Sequence, residues 1–135
     1  MGTVVLDSSL LIGFFDPNDP HHDAAARHLQ RMHQNRDGYL LPTVVLAEVM
    51  VGRIRSNPRT ARGAMQTVLD AFGPVREVDE EIAFVAAELR ARRPSIQMPD
   101  ALVVATATVE QATVSTFDKR LANAAPDRVQ VIPAD

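Results

Sequence analysis

Short apolar runs alternate with helical stretches from one end of the chain to the other, and this limits the fold more than any other feature. Thr3-Val4-Val5-Leu6 reads as a short buried strand. A helix is expected through Leu10-Leu11-Ile12-Gly13-Phe14-Phe15. Asp16-Pro17-Asn18-Asp19-Pro20 has turn chemistry, with Asp19 as an N-cap and Pro20 at the first position of a helix reaching about Gln34. That helix should stop near Asp37-Gly38. Tyr39-Leu40-Leu41 is a second strand, and Thr43 is placed to cap a helix through Val51. Asn57-Pro58 breaks it, and the next helix ends at Gly73-Pro74. Val75 to Val78 alternates like a strand. Asp79 caps a helix to Arg92 whose first turn holds Glu80 and Glu81, as the helix dipole favours. Pro99 opens a helix to Gln111, Thr113 to Thr116 is a strand, Asp118 to Ala124 a short helix and Val129 to Val131 a last strand.

Such alternation implies an α/β fold with a mainly parallel sheet covered on both faces. In sheets of this kind ligands gather at the carboxyl ends of the strands, near the point where the strand order reverses. The residues that leave a strand or start the next helix are therefore the informative ones. At roughly 150 residues per domain, 135 residues make a single domain spanning 1–135, and no repeat or Gly/Ser linker argues otherwise.

Three acids interrupt apolar runs. Asp7 lies between Val4-Val5-Leu6 and Leu10-Leu11-Ile12, with Ser8 and Ser9 beside it. Glu48 is the one non-apolar residue between Val44 and Val51, and Asp100 precedes Ala101-Leu102-Val103-Val104-Ala105. A fourth, Asp118, ends Val114-Ser115-Thr116-Phe117 at a strand-to-helix junction, as Asp7 does. A desolvated carboxylate must be paired, protonated or metal-bound. Asp7, Asp100 and Asp118 each have a structural alternative as helix caps or dipole partners. Glu48, in mid-helix, has only an ion pair with an arginine such as Arg53 or Arg93. Taken together, four acids on an alternating α/β chain point to a hard divalent cation, which relieves their repulsion and prefers oxygen ligands. With no cysteine and no paired-histidine motif, that cation is Mg²⁺ or Mn²⁺ rather than zinc.

Other chemistries find less support. The chain has no GxxxxGK phosphate loop, no GxGxxG and no GxSxG elbow around Ser8 or Ser9. His21, His22, His28 and His33 share one helix at spacings that do not suit a common metal, and read as packing or surface residues. Aromatic residues make up 4% of the chain, too few for a base-stacking platform. No apolar run approaches the roughly 18 residues of a membrane span. The N-terminus lacks a basic leader, so a cytoplasmic protein is expected. A net charge of −3 argues against binding nucleic acid through bulk positive charge, but not through a local basic face.

The order and spacing of Asp7-Ser8-Ser9, Leu46-Ala47-Glu48-Val49, Pro99-Asp100-Ala101 with Ala105-Thr106-Ala107, and Thr116-Phe117-Asp118 resembles a PIN domain of the VapC toxin type. Each motif alone is weak; four in this order across nearly the whole chain are specific. The resemblance implies a three-layer α/β/α fold. It also implies a Mg²⁺- or Mn²⁺-dependent endoribonuclease, usually a homodimer, silenced by a cognate VapB-type antitoxin. On that match Asp7, Glu48, Asp100 and Asp118 are the catalytic, metal-binding acids, and Ser8, Ser9 and Thr116 are supporting polar groups. Arg53, Arg55, Arg59 and Arg62 lie in a stretch without acids, and Lys119 and Arg120 adjoin Asp118; all six are candidates to track RNA phosphates around a pocket that itself repels RNA. The competing readings are a metal-dependent phosphotransfer or phosphatase domain, and an inactive PIN-like binding module.

Overall fold

The computed structural model describes residues 2–134. Its centre is β1 (Thr3–Leu6), whose β-branched residues suit a strand covered on both faces. The chain then runs through α1 (Ser8–Phe15), α2 (His22–Gln34), β2 (Gly38–Pro42), α3 (Thr43–Ser56), α4 (Ala61–Phe72) and β3 (Val75–Arg76). It continues through α5 (Glu80–Arg92), α6 (Met98–Val109), β4 (Thr113–Thr116), α7 (Lys119–Ala124) and β5 (Val129–Val131). The five strands form one sheet in the order β3-β2-β1-β4-β5, and every pairing is parallel. Parallel neighbours need crossovers, and the helices supply them. The result is the three-layer α/β/α architecture.

In register, Val5 of β1 stands between Leu40 of β2 and Val114 of β4. Val5, Leu6, Leu10, Leu11, Leu41, Val45 and Val114 are fully buried in the main core. A second cluster, Ile82 and Ala86 of α5 with Ile96, Ala101 and Ala105, joins α5 to α6; the alanines four apart on α6 let the two helices approach closely. Among the described residues, no helix is long and apolar enough to cross a membrane.

The observed elements follow the predicted ones closely, with local differences that have physical causes. Asp19 does not cap α2. Its carboxylate accepts the His21 amide (2.8 Å) and its carbonyl accepts that of His22, so an extra turn precedes the helix and Pro20 falls outside it. The C-terminal turn of α2 comes before Asp37-Gly38. Arg36 adopts the left-handed conformation (φ 58°) while the Asp37 amide reaches the Met32 carbonyl and the Arg36 amide that of His33. Those paired bonds close the helix without a glycine. Gln111 ends α6 in the same way, its own amide bonding to Thr108 and that of Ala112 to Ala107. Thr43 begins α3 but does not cap it; its hydroxyl donates to the Arg76 carbonyl instead. β3 is only two residues long, because the Arg76 side chain is drawn to Glu110 (2.7 Å), Asp79 (3.1 Å) and the Glu77 carbonyl, and the chain leaves the sheet there. Asp79 caps α5 as expected, accepting the Ile82 amide at 2.9 Å.

Candidate active site

The strand order reverses between β1 and β4, where both strands end at the same edge. Asp7 leaves β1 there, and Thr116 is the last residue of β4. Both are buried, Asp7 at 5% exposure and Thr116 at 0%. Asp7 occupies the N-cap position of α1, but its side chain makes no capping bond. Instead Oδ2 accepts the Thr116 hydroxyl at 2.5 Å and the Ser9 hydroxyl at 3.3 Å. Thr116 Oγ1 also accepts the Asp118 amide (3.0 Å), and Ser9 Oγ accepts that of Phe117 (3.1 Å). The two hydroxyls thus lock the end of β4 to the start of α1 and fix the rotation of the Asp7 carboxylate.

The other acids come from separate elements. Glu48 lies in the second turn of α3, Asp100 in the first turn of α6, and Asp118 directly before α7. All three are partly buried. Burial pushes the Asp7 carboxyl above the usual carboxylate range, against the pull of its hydroxyl partners, and the Asp118 charge adds to the rise. Burial also raises Glu48, which feels Asp7 and Asp100, and raises Asp100, which feels Asp7 and Asp118. Four positions spread over the sequence therefore share one electrostatic neighbourhood. Arg53 does not neutralise Glu48 and neither does Arg93. The Arg53 guanidinium donates to the Phe15 carbonyl and stands 5.5 Å from the Phe15 ring centroid. The structural escape for Glu48 is thus closed, and only the nearby Ser8 side chain pulls its carboxyl back down against the effect of burial.

Asp118 does act as a helix cap, accepting the Arg120 amide at 2.9 Å, with the Arg120 guanidinium 3.6 Å away. Arg120 lines a cleft of about 350 Å³ together with Asp100, Asp118, Ser95 and Gln97. Arg55, Arg59, Arg62 and Lys119 are exposed. Of the histidines, His22 bonds to the Gly13 carbonyl and His28 to Ser115, which makes them packing groups. His21 stacks on Phe117 beside the acids, a contact the sequence reading missed because no residue pattern links positions so far apart.

Among the described residues, no three His, Asp or Glu side chains converge closely enough to enclose a metal ion unaided. The donors are all hard oxygens, mutually repelling and held in low dielectric. That suits a cation taking one or two carboxylates and completing its shell with water and phosphate oxygens, as magnesium does.

Two substitutions test this geometry. Asp100 illustrates the cost of the acid cluster. A carboxyl raised above the free value of about 3.9 destabilises the fold once it ionises. The penalty is absent below about pH 4, grows as pH rises towards the folded pKa and is full above it. Asp100→Asn should therefore melt a few degrees above the wild type at pH 7, with the difference closing as pH falls towards 4. Calorimetry at both pH values measures it. Thr116→Val keeps the shape but removes the donor to Asp7. Loss of an orienting partner of this kind typically costs about 10- to 100-fold in activity or metal affinity. Thr116→Ser, which retains the hydroxyl, should keep most of the wild-type Mn²⁺ affinity in calorimetric titration.

The fold and this edge define an α/β domain with an acidic pocket at the switch point of a parallel sheet. The PIN domain family model matches residues 4–126, and the chain belongs to that family. Its fold is similar to that of VapBC2 from Rickettsia felis, solved bound to a promoter DNA fragment: TM-score 0.78, 16% identity, covering 97% of this chain and 99% of that one. It is similar to VapC20 of Mycobacterium tuberculosis, described as a sarcin-ricin loop cleaving toxin: TM-score 0.75, 20% identity, covering 96% and 99%. FitAcB from Neisseria gonorrhoeae gives TM-score 0.75 and 20% identity over 97% of each chain. No curated protein sequence matches.

Proposed function

We propose that this single PIN domain is the toxin of a type II toxin–antitoxin pair, a Mg²⁺- or Mn²⁺-dependent endoribonuclease of the VapC type that works in the cytoplasm. The observation that carries the reading is Asp7, buried at the switch point, bonded to Thr116 and Ser9, and within electrostatic reach of the other acids. The similar folds include VapBC2 and VapC20, the latter described as a sarcin-ricin loop cleaving toxin.

Asp7 and Asp100 are the principal metal ligands in this proposal, with Glu48 and Asp118 completing the acidic set. When bound, a divalent cation supplies a Lewis acid that lowers the pKa of a water molecule and offsets charge on the scissile phosphate. Ser9 and Thr116 hold the Asp7 carboxylate in one orientation, so no reorganisation is needed on reaction. Arg120, on the cleft rim, and Lys119 attract the RNA backbone that the acids would otherwise repel. Arg53, Arg55, Arg59 and Arg62 extend that attraction over α3 and the start of α4, although the contacts of Arg53 with Phe15 give it a packing role as well. A second copy of the chain and a VapB-type antitoxin are the expected protein partners. A receiver-type phosphotransfer site needs a lysine set apart from the acids, whereas Lys119 directly follows Asp118 at the start of α7.

The test is cleavage of total cellular RNA by antitoxin-free protein with Mg²⁺, Mn²⁺ or EDTA. Discrete, metal-dependent fragments that EDTA abolishes support the reading. Folded protein that cuts no RNA in either metal would overturn it. Mn²⁺ uptake by that sample would then separate a silent nuclease fold from a plain binding module.

A further inference from the structure

We propose that His21, stacked on Phe117, is the binding residue for a nucleobase next to the scissile phosphate. The inference rests on the ribonuclease reading above and adds a substrate contact to it. The two rings lie 4.2 Å apart between centroids and 8° from parallel. Phe117 sits between Thr116, which bonds to Asp7, and Asp118, and its own amide is held by Ser9. The stack is therefore anchored to the same two hydroxyls that orient the Asp7 carboxylate, and Phe117 is one residue from Asp118.

His21 is also held in place from its own side. Its amide donates to Asp19 Oδ1 at 2.8 Å, and its Nδ1 lies 3.7 Å from the same oxygen. Even so, 43% of the His21 side chain remains exposed. A ring fixed by a backbone bond, backed by a second ring and open to solvent beside a phosphodiester-cleaving pocket has the properties of a stacking platform. Such platforms hold bases in single strands with little sequence preference, because every base has a π-face. Few aromatic residues are needed when a histidine extends one of them.

The test uses full-length protein with Mn²⁺ and a single-stranded RNA oligonucleotide spanning a cleavage site mapped on total RNA. A companion oligonucleotide lacks the base on either side of the scissile phosphate. His21→Ala should raise KM about tenfold on the intact RNA, and His21→Phe should restore most of it. On the abasic RNA the three proteins should converge. Wild-type KM on His21→Ala, or a tenfold KM defect that persists on abasic RNA, overturns the platform while leaving the nuclease reading intact. Wild-type protein that cuts no RNA overturns both. Melting temperatures of the two variants identify any loss due to misfolding, and the Phe variant still decides the matter if the Ala variant is unstable.

Discussion

Asp7→Asn should lower the rate of RNA cleavage by about a thousandfold and leave the protein folded. Lewis-acid stabilisation of a phosphate transition state is worth several kcal/mol, and each 1.4 kcal/mol is about tenfold in rate. Asparagine keeps the shape of the side chain, and its amide oxygen can still accept the Thr116 hydroxyl that now bonds to Oδ2. What it loses is the negative charge at the best-buried of the four acids. That charge is costly to hold, because burial pushes the Asp7 carboxyl up and so disfavours its ionised form. The variant should thus bind Mn²⁺ more weakly while its melting temperature at neutral pH does not fall. Initial rates on total RNA, with Mn²⁺ titration and circular dichroism on one sample, test all three points. A variant cutting within tenfold of the wild type would remove Asp7 from the catalytic assignment.

Leu6→Ala should cost about 3–4 kcal/mol of stability, since large-to-small changes in a packed core add a cavity term to the lost burial. Leu6 is fully buried in the central strand, paired in register with Ser115, one residue before Asp7. At roughly 3 °C per kcal/mol for a domain of this size, the midpoint should drop by about ten degrees. Ile54→Ala is the matching control: Ile54 is 52% exposed on α3, and its loss should change stability by no more than about 0.5 kcal/mol. Chemical denaturation of both variants in parallel measures the contrast. Equal losses would mean that the sheet centre is not the main source of stability.

The helices and strands were legible because their signals are local. Thr3 to Leu6 and Thr113 to Thr116 are short runs with defined boundaries, and Asp79 precedes an acid-rich first turn that it does cap. The acids stood out for a similar reason, since a carboxylate inside an apolar run conflicts with its neighbours in sequence. The misreadings fell where a side chain had a competing partner distant in sequence or a tighter local turn. Thr43 donates to the last carbonyl of β3, Arg53 packs on Phe15, and Asp19 builds a turn before α2. Capping propensity describes what a residue can do nearby and is silent about partners brought in by the fold.

The sequence by itself determined the α/β class, the position of nearly every element and the identity of the acids that need an explanation. These follow from hydrophobic period and from the cost of burying charge, both of which are written residue by residue. Only the tertiary structure decided that β1 is central with β4 beside it, and hence that Asp7 and Thr116, 109 residues apart, share a hydrogen bond. It also decided that Glu48 and Asp100 feel the same charge, and that His21 lies flat on Phe117. Such contacts arise from the order in which parallel strands are laid down. That order depends on how the whole set of helices packs against both faces of the sheet, and no local stretch of sequence encodes it.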